Sequence, residues 1–174
     1  SAWALDRATE FALLQAACAA GVRAPSPRYL STPGSARAWF LMERLAGESV
    51  GRKVVRAPEL AAAREVLARQ LGEVLAVIHR VPLAGLPALP GVTDGRTPAE
   101  EALHQSRTVI ASLGLRNPAW AYALRWLTAH APTWDGELAL VHGDYRIGNL
   151  LVDREGLRGV LDWEFAHLGD RHED

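Results

Sequence analysis

Residues 138–162 restrict this chain more than any other stretch. Three apolar runs, Leu138 to Val141, Leu150 to Val152 and Val160-Leu161, are each too short for an ordinary helix and suit short strands. The first run leads into His142-Gly143-Asp144. The second and third flank Asp153-Arg154-Glu155-Gly156, a turn composition that closes a hairpin. The expected order is therefore strand, polar loop, then a two-stranded hairpin. It leaves Asp144, Asn149 and Asp162 at strand ends, where a rigid scaffold presents chemistry.

The residue types and spacing fit phosphoryl transfer. That reaction asks the protein to position its reactants and to compensate negative charge, largely through Mg²⁺. Magnesium takes oxygen donors, one or two carboxylates together with phosphates and waters, and Asn149 and Asp162 supply such donors. Asp144 is the candidate to orient a substrate hydroxyl and accept its proton, and Arg146 lies within reach of a transferred phosphate. The loop His142-Gly143-Asp144, four residues, Asn149, with Asp162-Trp163 following, has the spacing of a kinase catalytic loop and its later metal-binding Asp. A rival chemistry would use His142, Asp144, His167 and His172 as ligands of zinc or iron in a metallohydrolase, but no known ligand spacing supports it.

The stretch HGDYRIGN followed by VLDW resembles the phosphotransferase family that includes aminoglycoside phosphotransferases and choline kinases. The resemblance implies an α+β, protein-kinase-like two-lobe fold: a partial N-lobe over residues 1–45, and a mostly helical C-lobe over 46–174 that carries the catalytic-loop hairpin. It implies transfer of the γ-phosphoryl group of ATP to a hydroxyl of a small molecule. Asp144 would be the catalytic base, and Asn149 and Asp162 the Mg²⁺ ligands. Glu10 matches the helix Glu that pairs with the phosphate-holding lysine, although a solvated surface Glu reads the same way. The carbonyl of Glu43 and the N–H of Leu45 would bond the adenine at the hinge, a place that a plain strand-to-loop junction also fits. Gly169-Asp170-Arg171 departs from the Gly-Asp-Pro frequent in the family.

Other family parts are not in this sequence. It has no G-x-G-x-x-G and no G-x-x-x-x-G-K-[ST]. Its sole lysine, Lys53, follows the expected hinge. The expectation is a fragment covering the middle of a family member, with little activity alone. The alternative is a non-catalytic module that binds a nucleotide or a partner.

Along the chain, Asp6 to Ala20 predicts a helix stopped by Gly21, with Phe11, Leu13, Leu14 and Ala17 on its apolar face. Tyr29-Leu30 and Trp39 to Met42 predict strands joined by a loop over Ser31 to Ala36. Pro58 to His79, Pro98 to Leu113 and Pro118 to His130 predict helices, and Val81 to Arg96 a loop. Trp120, Tyr122 and Trp126 are expected to be packing residues. His104, Gln105 and Arg107 are candidates for the substrate side, as are Glu100, Glu101, Glu164 and Glu173 for an acidic pocket.

Charge and composition narrow the setting. The net charge of −1 gives no electrostatic case for nucleic acid or an anionic membrane surface. No apolar run is long enough to span a bilayer. Cys18 is the only cysteine and sits in a helical pattern, so it reads as a small core residue in a reducing, cytoplasmic setting. Nothing in the pattern fixes an oligomeric state.

Overall fold

A computed structural model describes residues 4–174 apart from Pro33, Ser35, Ala36, Thr93, Asp94 and Asp135. The loop expected over 31–36 thus lies partly outside the described residues. Helix α1 spans Arg7–Ala19. The Asp6 carboxylate starts it by accepting the N–H groups of Ala8 and Thr9, both at 2.9 Å. Its buried face is Leu13, Leu14 and Ala17, with Glu10 beside them. Strands β1 (Pro27–Leu30) and β2 (Phe40–Met42) pair antiparallel, and Phe40 meets Phe11 of α1 edge-on at 5.9 Å.

Beyond β2 the chain crosses to the hairpin. Gly47 has φ +150°, and a Cβ there would lie 2.8 Å from Leu151 Cγ and 3.0 Å from the Val152 oxygen. With that space clear, Glu48 and Val152 exchange backbone hydrogen bonds of 2.7 and 3.0 Å. A short helix α2 (Gly51–Arg56), not foreseen in the sequence, buries Val54. A 3₁₀ turn at Pro58–Leu60 then leads into α3 (Ala61–Ile78), which buries Ala63, Leu67, Val74 and Ile78.

Strand β3 (Ala139–Val141) is buried throughout. It pairs antiparallel with β6 (His167–Gly169), a strand the sequence did not announce. Strands β4 (Leu150–Asp153) and β5 (Gly156–Val160) form the expected hairpin. Helix α3 lies across it, and the Gln70 amide serves the hairpin edge: its oxygen accepts Leu157 N–H at 2.7 Å and its nitrogen donates to the Glu155 carbonyl at 3.2 Å. Buried residues of α1, α2, α3, β3, β4 and β5, with Trp163, form one continuous apolar cluster.

Helices α4 (Pro98–Ser112) and α5 (Pro118–Ala129) pack on each other. A capping box of Thr97 and Glu100 starts α4, and Asn117 caps α5. Here one expectation is corrected. Trp120, Tyr122 and Trp126 are about half exposed or more, and no residue of α5 is buried. Among the described residues, α4 is the principal neighbour of α5, and one flanking helix does not enclose an apolar face. No helix of the described residues is long and apolar enough to cross a membrane.

Candidate active site

The loop after β3 is organised around His142, whose side chain is fully buried. The Asp144 N–H donates to its Nδ1 at 3.2 Å. Nδ1 is therefore the unprotonated nitrogen, and Nε2 carries the proton that goes to the Leu161 carbonyl at 3.0 Å. Burial lowers the pKa of this ring, opposed by Asp174, the Leu161 carbonyl, Asp144 and Asp162. The result is a neutral imidazole packed edge-on against Trp163 at 4.8 Å, which ties the Asp144 loop to the residue following Asp162.

Gly143 has φ +80°, and any Cβ there would overlap the Phe165 carbonyl oxygen. Only glycine lets the loop pass under residues 165–167. Asp144 then receives Arg146 Nε on both carboxylate oxygens, at 2.9 and 3.0 Å. Asn149, buried at the end of a 3₁₀ turn, donates its Nδ2 to Asp144 Oδ2 at 2.6 Å and to the Asp144 carbonyl at 3.0 Å. The Asn149 carbonyl accepts the Leu161 N–H at 2.8 Å. Asp162, next in the chain, is exposed and holds a left-handed φ of +64°, which turns it sharply out of β5. Direct bonds thus join Asp144, Arg146 and Asn149, and the Leu161–Asn149 backbone bond brings the adjoining Asp162 to the same locality.

Sequence reasoning missed Asp174. Its side chain is fully buried although it lies 30 positions after Asp144. One oxygen accepts the Gly143 N–H at 2.8 Å; the other accepts the His142 N–H at 2.9 Å and meets His79 Nε2 at 3.1 Å. The only sequence signal was a carboxylate in the Gly-Asp tail. His79, read as a plain helix-end residue, is the second anchor of the same group.

Glu10 faces the locality from α1. It is buried, ion-paired with Arg7, and shares a recess with Asp162, Phe40 and Met42. Burial raises its pKa; Arg7 pulls it back, while Asp162 and Glu164 add to the rise. The partner of Glu10 is therefore an arginine of its own helix, and Arg7 also lies 3.8 Å from Glu164. Lys53 is elsewhere, paired with Glu48 at 2.9 Å. At the expected hinge, the Glu43 N–H is bonded to the Ser26 carbonyl at 2.8 Å, and the Leu45 side chain rests on Gly159 of β5.

A cavity of about 350 Å³ opens beside Gly143. Glu101, Gln105 and Glu173 line it, as does His167, which had been named only as a possible metal ligand. His104 is exposed and outside it, Arg107 bonds Thr128 across the helix pair at 2.6 Å, and Glu100 serves the cap of α4.

The donor set fits a hard cation. With Nδ2 spent on Asp144, Asn149 offers its Oδ1, and the Asp162 carboxylate has no hydrogen bond or ion pair among the described residues. Both are oxygen donors of the kind magnesium takes. The zinc or iron alternative has no such support. Both nitrogens of His142 are occupied, His167 and His172 are bound to Glu173 and Asp170, and no group of three His, Cys, Asp or Glu ligands converges among the described residues.

The profile of the phosphotransferase enzyme family matches residues 1–174. The mouse acyl-CoA dehydrogenase family member 10 is 30% identical over 179 residues, covering 100% of this chain and 16% of that protein. An aminoglycoside 3'-phosphotransferase of Niallia circulans is 24% identical over 136 residues, covering 78% of this chain and 50% of that protein. The structure of a thermostable mutant of aminoglycoside phosphotransferase APH(4)-Ia, a ternary complex with AMP-PNP and hygromycin B, superposes with a TM-score of 0.70 at 18% identity, over 94% of this chain and 57% of that one. The chain thus spans half or less of these curated relatives, and its fold is that of the kinase-like aminoglycoside phosphotransferases. Together with the loop geometry, the full-length match shows that the chain belongs to the phosphotransferase enzyme family, whose members are small-molecule kinases.

Proposed function

We propose that this chain forms part of a kinase that transfers the γ-phosphoryl group of ATP to a hydroxyl of a small molecule. The observation that carries this reading is the bracing of Asp144. Its carboxylate is held by Arg146 Nε and Asn149 Nδ2, its backbone N–H by His142 Nδ1, and the preceding N–H groups of His142 and Gly143 by Asp174. An acid fixed so tightly is suited to orient an acceptor hydroxyl and take its proton as the new P–O bond forms. Asn149 Oδ1 and Asp162 would hold Mg²⁺, which supplies charge compensation for the phosphoryl group. Arg146 adds a cation beside Asp144 for the same purpose.

Residues 1–45 form the partial N-lobe in this reading and 46–174 the C-lobe. The carbonyl of Glu43 and the N–H of Leu45, with no partner among the described residues, bond the adenine. Glu10 closes the phosphate end through its recess with Asp162. The AMP-PNP and GDP complexes among the structural neighbours support nucleotide binding, the AMP-PNP complex being the one in line with ATP, and their aminoglycosides support a hydroxylated small molecule as acceptor.

Incubation with MgATP and a panel of hydroxyl compounds, read by phosphorus NMR, tests the proposal. Transfer that disappears in Asp144→Asn is the expected result. Mg²⁺-dependent nucleotide binding without transfer to any acceptor, in both this chain and a longer version of the protein, would favour the non-catalytic module instead.

A further inference from the structure

One histidine joins strand β6 to the turn that follows it. His167 Nδ1 lies 2.9 Å from the Phe165 carbonyl and Nε2 lies 3.2 Å from Glu173 Oε2, so each ring nitrogen meets an acceptor oxygen. An imidazole satisfies two acceptors only when it carries both protons. Two glycines leave room for the arrangement. A Cβ on Gly169 would overlap Glu173 Oε1, and one on Gly143 would lie 3.3 Å from His167 Nδ1.

The bridge reaches the Asp144 loop through the next residue. Glu173 is fixed at its other oxygen too, since Oε1 accepts the Asp170 N–H at 2.7 Å. Asp174 follows directly, and its buried carboxylate holds the N–H groups of His142 and Gly143. The link from Phe165 through His167 to Glu173 therefore sets the turn that delivers Asp174.

The surroundings favour the charged ring. Glu173 and Asp174 face it from the turn after β6. On that turn Asp170 is engaged by His172, and Arg171 by Glu137. On the side of β3, whose Val141 pairs with His167, the next ring is His142, which is neutral. Glu101, bonded to Arg96 and Gln105, lines the same cavity as His167. Burial pulls the His167 pKa down, but the Glu173 bond, the Phe165 carbonyl and the charges of Glu173 and Asp174 outweigh this and leave it raised. Loss of one proton leaves the ring a single N–H. A lone pair must then face either the Phe165 carbonyl or the Glu173 carboxylate, and one of the two links opens.

We propose that His167 is a proton-operated latch: with both nitrogens protonated it ties residue 165 to the turn at 170–174 and steadies the Asp144 loop through Asp174, and with one proton gone it releases that turn. The folded chain binds this proton more strongly than the unfolded one. The stability it contributes is therefore present below the ordinary 6.5 and is lost as pH rises through the raised folded value. The latch belongs to the fold; only its effect on transfer rests on the phosphotransfer reading.

Nitrogen NMR of the 174-residue chain over a pH series tests the latch. Both His167 nitrogens should be protonated at pH 6.5, and the amides of His142, Gly143 and Gly169 should move with the midpoint of the ring. A singly protonated His167 at that pH overturns the proposal, as do His142 and Gly143 amides that stay still while the ring titrates. Glu173→Gln removes the facing charge and should weaken proton binding by about tenfold, one pH unit; an unchanged midpoint refutes the bridge. His167→Gln should abolish the step at the His142 and Gly143 amides. A step that persists there belongs to another group, such as His79 on the same carboxylate, and overturns the latch. Should that variant not give a folded spectrum, the Glu173→Gln midpoint decides. Phosphorus NMR with MgATP and the acceptor panel keeps the two ideas apart. Amides that follow the ring, with no transfer at any pH, refute the reaction and sustain the latch. Transfer with the same pH profile in wild type and His167→Gln refutes the latch and sustains the reaction.

Discussion

Replacing Asp174 by Asn tests whether the Asp144 loop is held from a distance. The wild-type carboxylate presents two acceptor oxygens to three donors: the Gly143 N–H at 2.8 Å, the His142 N–H at 2.9 Å and His79 Nε2 at 3.1 Å. Asparagine keeps one oxygen and turns the other position into a donor. Whichever way the amide lies, at least one backbone N–H then faces an N–H, and the formal charge is gone. Hydrogen bonds to a charged group contribute about 1.5–3 kcal/mol each, and a buried donor left unmatched costs a similar amount. Losing one or two of the three predicts a destabilisation of about 2–4 kcal/mol, a large part of the ~5–15 kcal/mol that holds an ordinary domain together. Urea unfolding at neutral pH should show a lower midpoint with the slope unchanged, and hydrogen exchange should quicken at the amides of His142 and Gly143. A change below about 0.5 kcal/mol with both amides still protected would refute the reasoning, because it would mean that the backbone finds other acceptors at no cost.

Gly143→Ala places a methyl group against the Phe165 carbonyl in a left-handed conformation, and should cost about 3 kcal/mol, or roughly 6–12 °C in Tm for a chain of this size. Nitrogen chemical shifts of His142 should report an unprotonated Nδ1 and a protonated Nε2 at pH 6.5, where a freely exposed histidine is half charged; an imidazolium there would contradict the tautomer assigned from Asp144 N–H. The unfolded chain takes up the His142 proton more readily than the folded one. Its contribution to stability is therefore present above 6.5 and is lost as pH falls through the depressed folded value. Glu10 has the opposite sign: its raised folded pKa adds stability below the ordinary 4.5 that is lost as pH rises through the folded value, so Glu10→Gln should flatten that part of the profile, and an unaltered slope would count against it.

Much of the fold was legible because local chemistry announces it. Asp6 and Gly21 bracket α1, Thr97-Pro98 and Asn117-Pro118 open α4 and α5, and Asp153 to Gly156 closes the hairpin. The elements that were not foreseen are those with no local signal. Strand β6 is three residues long without alternation, and exists because β3 pairs with it and the Pro90 carbonyl accepts the Leu168 N–H. Helix α2 is six residues long and opens on a glycine. Asp174 was invisible for another reason: its role lies entirely in bonds to residues more than thirty positions earlier. The exposure of Trp120 and Trp126 was hidden in the same way, since helical periodicity identifies an apolar face but not whether a second element covers it.

The same division explains how the site is held. The spacing of Asp144, Asn149 and Asp162 could be read from the chain because adjacent turns set it: Asn149 reaches back to Asp144, and Leu161 is bonded to the Asn149 carbonyl. That local lattice would still be free to tilt as a unit. Three longer links remove the freedom. His142 ties the loop to the Leu161 carbonyl and the Trp163 ring, Tyr145 donates to the Leu71 carbonyl of α3 at 3.0 Å, and Asp174 joins the loop backbone to His79 at the end of the same helix. Two of the three links end on α3, the longest helix and a contributor of four residues to the core. Positional accuracy at Asp144 is thus borrowed from the packing of α3, so substitutions that loosen α3 well away from the loop, Leu67→Ala among them, should disturb Asp144 before they unfold the chain.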